Sequence, residues 1–456
     1  MTDPAGSMPG HRLLDFLLLM LVVVSSDAGI FTEADGILVA AAIGILRPVL
    51  LPYLVLLVAG FQDARGLSGI WWYGGTVGLG LWVTLTRLPA FTAFLKGSER
   101  AFRALVALVV VTVIYSVLSS YIQDSLGIHP QATTREPYVV GALALLMSLI
   151  GMTCYFAMRR DADAPHRVIM IVVLVLVNGL IVSAARMALG YDHFLSAAGV
   201  AQLEDAQLVE DTPLGFPRLT GSYLTPIGFA MYIAYLLVLW EAITTRRGVS
   251  GWFVMLYVVI AIMLSVMSLS KGMAAYFLVT IGVILVARPR YILPFALGAF
   301  GVSLWVINLV GLDAVSEAFR FEQGTSTTSY RAIAWAATIS KFSWSDWLFG
   351  TGIAYWPTFL ERNAGFALSD PHNYLLSIPG TYGILGIALY LVLAGCIVSA
   401  FRAGHGYSRV AAASLFVMFF VADAVNIPYV IGNTPITACI WAAITALCAQ
   451  RSAPSG

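Results

Sequence analysis

Charge is what this chain has least of. Asp, Glu, Lys and Arg make up 11% of its 456 residues, whereas a soluble domain carries about 25%. A freely soluble globular protein is thereby excluded. The formal net charge is +1, which leaves no basic stripe for nucleic acid. Cysteine is also scarce. Cys154, Cys396, Cys439 and Cys448 all fall inside apolar runs, and none has the spacing of a disulfide framework or a metal site. There is no phosphate-cradling glycine loop of the nucleoside-triphosphate type. No carboxylate pair suggests a glycoside hydrolase. Internal repeats and low-complexity tracts are absent. The apolar runs do not alternate with polar residues, which argues against an outer-membrane barrel.

What remains is long apolar runs. Hydrophobic residues account for 59% of the chain and mean hydropathy is +0.86. Runs such as 104–118, 168–181 and 384–398 sit inside stretches of about 20 residues, the length that crosses a bilayer core. The expected fold is therefore all-α: a polytopic integral membrane protein with about 12–14 spans. The spans are predicted near 12–29, 34–47, 49–62, 68–87, 101–121, 137–158, 167–187, 223–243, 250–269, 272–287, 290–311, 372–401, 408–424 and 430–450. Segments 34–47 and 49–62 are short and also fit one broken or re-entrant span. Residues 13–24 with Ser26-Asp27-Ala28 resemble a cleavable signal, but Asp15 interrupts the apolar stretch and further spans follow at once, so an uncleaved first helix is expected.

Lys and Arg set the orientation. Arg87, Lys96, Arg100, Arg103, Arg159, Arg160, Arg167, Arg246, Arg247, Arg288, Arg290, Arg402, Arg409 and Arg451 fall in short loops on one side. That side is expected to be the cytoplasm, with both termini inside. The other side carries two long loops. Loop 188–222 is acidic, and loop 312–371 holds Trp335, Trp344, Trp347 and Trp356. Loops of that length are usually functional. Within the second, 329–341 places Ile333, Ala336, Ala337 and Ser340 at helical spacing, which predicts an amphipathic helix on the membrane surface. The whole chain reads as a single transmembrane domain.

Four residues far apart in sequence converge on the extracytoplasmic face under this topology: Arg218, Lys271, Arg331 and His372. Three cations and an imidazole suit a diphosphate ligand and proton transfer near neutral pH. Other uses fit each residue alone. Arg218 can snorkel to head groups, Lys271 can be a solvated turn residue, Arg331 can pair within its loop, and His372 can cap a helix with Asn373. Gly380, Gly383 and Gly386 recur every third residue, which lets backbones approach closely, and Pro379 is expected to kink that helix.

Residues 370–386, DPHNYLLSIPGTYGILG, resemble the signature of the bacterial O-antigen ligase and polysaccharide polymerase superfamily, in which a His is followed by ten residues and a Gly. Arg218-Leu219-Thr220-Gly221-Ser222, Ser268-Leu269-Ser270-Lys271-Gly272, Tyr330-Arg331 through Trp335, and Leu348-Phe349-Gly350-Thr351-Gly352 resemble its other motifs in order. One departure stands out. The family usually has Arg where this chain has Lys271, which keeps the charge but loses the bidentate fork.

The resemblance implies a fold similar to membrane-embedded C-type glycosyltransferases in the bacterial inner membrane. It implies a glycan on undecaprenyl diphosphate as donor and a sugar hydroxyl as acceptor, with neither metal nor other cofactor. His372 would be the catalytic base, and Arg218, Lys271 and Arg331 would bind the diphosphate. A repeat-unit polymerase is favoured slightly over a ligase acting on lipid A-core. A chain-length regulator and a flippase would be natural partners. A lipid-linked oligosaccharide flippase and a structural subunit of an assembly complex are the competing classes. The first should show related halves and charge at mid-membrane, and neither is seen here.

Overall fold

The computed structural model describes residues 9–28, 35–60, 69–125, 137–189, 226–244, 251–268, 271–287, 289–311, 327–352, 373–404, 406–422, 431 and 434–449. Everything ordered among them is helical. The helices are α1 (Pro9–Ala28), α2 (Asp35–Leu46), α3 (Leu51–Ala59), α4 (Gly69–Gly97), α5 (Arg100–Ser125), α6 (Pro137–Met158), α7 (Ala164–Leu189) and α8 (Pro226–Ile243). They continue with α9 (Gly251–Ser268), α10 (Lys271–Ala287), α11 (Ile292–Val310), α12 (Thr327–Lys341), α13 (Trp344–Phe349), α14 (Tyr374–Ala403), α15 (Tyr407–Val417) and α16 (Ile436–Ala449).

Every apolar run predicted as a span forms a helix, because only intrasegment hydrogen bonds satisfy the backbone in lipid. The helices differ in reach. Five stretches, Gly74–Gly97, Arg100–Ile122, Tyr138–Met158, Ala164–Val182 and Leu376–Ala403, are each long and apolar enough to cross a membrane. The pair Met273–Val286 and Pro289–Trp305 passes only when taken together, across a bend of 119°. The remaining apolar helices are shorter, α2 and α3 among them. Those two are separate helices, parted at Arg47, whose φ −141°, ψ 74° is non-helical, with Pro48 starting the next turn. All this describes a polytopic, all-α membrane protein.

The core is built around α8. Phe229 to Leu239 are buried on every side, as expected of a helix that is apolar all round and enclosed by other helices. Its neighbours are α7, α10, α15 and α16. The perimeter carries the opposite pattern: Leu85, Leu118, Ile181, Leu278, Leu297 and Leu391 are exposed large apolar residues, which suits a lipid-facing surface.

Long-range contacts define the two ends of the bundle. At one end the guanidinium of Arg12 near the start of α1 donates to Asp163 Oδ1 at 2.9 Å, in the turn between α6 and α7. Asp15 is buried beside it. Its carboxylate meets Arg47 Nε at 2.6 Å and accepts from Arg167 Nε at 2.9 Å. Arg167 also pairs with Asp161, whose Oδ2 accepts from Tyr53 at 2.6 Å. This charge cluster ties α1, α3, the α2–α3 junction, α7 and the α6–α7 turn together. Asp15, an interruption in the apolar run when read alone, is the shared counter-ion of two arginines. The other end of the bundle holds the C-terminus of α5, the turn after α13 and the start of α14.

Candidate functional site

Of the four predicted site residues, Lys271 and Arg331 fall within described backbone. Lys271 is the first residue of α10, three positions after α9 ends at Ser268. Arg331 lies in the first half of α12, a helix that packs against α14. Arg218, His372 and most of the two long loops, 188–222 and 312–371, lie outside the described residues. So does Trp356. His372 stands two positions before the first residue of α14 in sequence.

What the structure does define is the scaffold around the start of α14. That helix is broken at Gly383, with φ 59° and ψ −148°. This is backbone that essentially only glycine adopts. The sequence suggests a kink at Pro379. The non-helical residue is instead four positions later, because proline fixes an ordinary helical φ whereas Gly383 departs from it altogether. A residue in this conformation cannot continue the i→i−4 ladder, so carbonyls one turn upstream are open to other donors.

Those donors come from the Gly-x-Gly stretch. Thr351 N donates to Gly380 O at 2.7 Å, and its hydroxyl donates to the same oxygen at 3.0 Å. Gly352 N donates to Thr381 O at 3.1 Å. From the far side, Ser119 Oγ on α5 donates to Gly350 O at 3.5 Å. Thr351, Thr381, Ser119 and Ser120 are all buried, so these bonds satisfy polar groups that have no access to water.

Three glycines make the approach possible. Gly350 (φ 70°), Gly352 (φ 89°) and Gly383 all have positive φ. A Cβ on Gly350 would lie 2.5 Å from Thr381 O, and one on Gly383 2.3 Å from Leu348 O. A Cβ on Gly352 would lie 2.1 Å from Ser120 Oγ. The two motifs that looked independent in sequence are therefore one interlocked unit. Farther along, a Cβ on Gly386 would lie 2.8 Å from Ile378 O, which shows how tightly the broken helix folds on itself.

Helix α13 delivers the Gly-x-Gly turn. It begins with a reciprocal capping box, in which Asp346 N donates to Ser343 Oγ at 3.2 Å and Ser343 N donates to Asp346 Oδ2 at 2.8 Å. It ends at Gly350, whose N–H returns to Asp346 O at 2.8 Å. Phe342 and Trp347 pack edge to face, 5.0 Å between ring centroids, and fix α13 against α12. Helix α12 turns Ala334, Ala337 and Thr338 inward and leaves Ile333, Ala336, Ile339 and Ser340 exposed. Ala337 thus lies on a different side from the three residues grouped with it by spacing.

Sequence reasoning did not single out Ser119, Ser120, Ser343 or Asp346. The serine pair at the end of an apolar helix was the available signal for the first two. Ser-x-x-Asp ahead of Trp347 and Leu348 was the signal for the capping box.

Residues 256–391 match the family model described as O-antigen ligase. The match takes in Lys271, Arg331, the Gly-x-Gly turn, His372 and Gly383, and leaves Arg218 outside. No curated protein and no solved structure matches the chain. Members of the matched family are glycosyltransferase-type enzymes, and the family supports glycosyl transfer at the periplasmic face. The resemblance thus holds at the level of the family over the stretch from Lys271 to Gly383, where residues 256–391 match its model.

Proposed function

We propose that the protein is an inverting glycosyltransferase of the bacterial inner membrane, working at the periplasmic end of the bundle. It takes a glycan from undecaprenyl diphosphate and joins it to a hydroxyl of an acceptor sugar. The acceptor is a second lipid-linked repeat unit in our favoured reading, which makes the protein a repeat-unit polymerase.

One observation carries the proposal. The Gly-x-Gly turn and Gly383 lock the first turns of α14 in place, directly after His372 in sequence and inside the matched stretch. A catalytic base works only when its position is held, and rigid backbone around it is the usual means. The orientation follows from the arginine-rich turns, which belong to the cytoplasm under the positive-inside rule. With that orientation both termini are cytoplasmic.

In this reading His372 removes the proton from the acceptor hydroxyl. That oxygen attacks the anomeric carbon as the bond to the diphosphate oxygen breaks, with inversion. Undecaprenyl diphosphate leaves with the electron pair. Arg218, Lys271 and Arg331 bind the diphosphate and offset the negative charge that grows on it. The cations take the part that a metal ion plays in other phosphate chemistry. Lys271 does so as a point charge.

The test uses purified protein with an undecaprenyl-diphosphate oligosaccharide, alone and with lipid A-core added. The wild type should give a glycan ladder without lipid A-core, and H372A should give none. Lys271→Gln should cost about 10–1,000-fold in kcat/KM, as for loss of one charged donor, and Lys271→Arg should retain activity. Product only with lipid A-core would make the protein a ligase. Full activity in H372A would overturn the assignment of the base.

A further inference from the structure

The end of the bundle opposite the Gly-x-Gly turn holds a cavity of about 760 Å³ lined by Arg87, Arg159, Arg160 and Asp161 together with Phe94 and Phe156. We propose that it binds the phosphate-bearing headgroup of an anionic phospholipid. The inference does not depend on the glycosyl-transfer reading.

Its charged and aromatic residues come from three elements. Arg87 and Phe94 come from α4, Phe156 from α6, and Arg159, Arg160 and Asp161 from the turn before α7. Arg159 lies 4.6 Å over the Phe94 ring and 4.4 Å over Phe156. A guanidinium stacked this way keeps its in-plane N–H donors for a ligand. Burial and the neighbouring Arg160 both lower its pKa, so the two cations repel each other with no anion between them. Neither Arg87 nor Arg160 has an ion-pair partner among the described residues. The one acid in the wall is already engaged: Asp161 holds Arg167 and accepts from Tyr53. Three cations therefore face the cavity with no free carboxylate to neutralise them.

The apolar part of the lining selects a lipid over a free anion. Val49, Ala90, Ala93, Ala157 and Ala162 complete the wall. Three residues before Val49 and two before Arg87, Leu46 is 83% and Leu85 68% exposed. A ligand with a phosphate and an apolar body matches both surfaces. Anionic lipids are also what a cluster of arginines at a cytoplasmic membrane face attracts, at about fivefold in binding per cation.

Native mass spectrometry of the detergent-purified protein with equal dioleoylphosphatidylglycerol and dioleoylphosphatidylethanolamine tests this. The wild type should retain phosphatidylglycerol preferentially. Arg87→Gln and Arg160→Gln should each lower that retention about fivefold, and the variant with all three arginines replaced about a hundredfold. Arg290→Gln, at an exposed arginine stacked on Tyr291 away from the cavity, should match the wild type. Unchanged helical circular dichroism checks that each variant is folded, and the single variants stand if the triple one is not. Equal phosphatidylglycerol on wild type and both single variants would overturn the proposal. So would complete displacement by millimolar inorganic phosphate, which would show a site for a free anion.

Discussion

Replacing Gly383 by alanine tests whether the lock on α14 is what the site is built on. The new methyl would sit 2.3 Å from Leu348 O and 2.7 Å from Phe349 C. Both are backbone atoms, so no side-chain rotation relieves the contact. Alanine at this φ and ψ carries on the order of 1–3 kcal/mol of strain by itself. Escape requires the Gly-x-Gly turn to withdraw, with loss of its three hydrogen bonds to Gly380 and Thr381, each contributing about 1 kcal/mol. Opening relieves that strain, so alanine shifts the equilibrium toward the open form by about 1–3 kcal/mol, against the hydrogen bonds that favour the closed form in both proteins. Amides of Thr351 and Gly352 should exchange with deuterium about 5- to 150-fold faster, while amides of α8 keep their protection. Glycosyl transfer should fall with the same variant. Gly395→Ala, on the same helix with open space around it, is the control and should be neutral or stabilising by about 0.5–1 kcal/mol. Protection at Thr351 and Gly352 unchanged in G383A would refute the reasoning, because the bonds and the clash occupy the same few ångströms.

Two further perturbations probe the elements that hold the ends. Asp15→Ala leaves Arg47 and Arg167 without their shared carboxylate and should destabilise the bundle by about 3–5 kcal/mol, as for removal of one partner from a buried pair. The apparent midpoint of thermal unfolding in detergent should drop well below that of Lys96→Ala, an exposed position; equal midpoints would mean that the cluster is not structural. Ser343→Ala removes the capping oxygen of α13 and should cost about 1 kcal/mol, seen as faster exchange at Asp346 and Trp347. An unchanged rate there would show that packing of Trp347 on Phe342 alone holds the helix.

The parts of the fold that were legible are those imposed by the bilayer. Residues 137–158 were predicted as a span and form α6 with the same limits, because a lipid-crossing helix must announce itself as a continuous apolar run. What was not legible is pairing across the chain. Nothing near Gly383 says that its φ is positive, since the donors that make the break tolerable are at Thr351 and Gly352, and their support is on Ser119, 231 residues before Gly350. Asp15 likewise has its partners at Arg47 and Arg167, the latter 152 residues away. The misgrouping on α12 has a different cause, and it is instructive. Spacing finds a helical face, but deciding which face meets the protein normally relies on large apolar residues turning inward. At a membrane that preference reverses: lipid takes the large side chains, and small or hydroxylated ones let helices touch. Ile339 is 62% exposed while Ala334 and Thr338 are fully buried. On such a helix the small residues, not the isoleucines, mark the side that packs against the rest of the molecule.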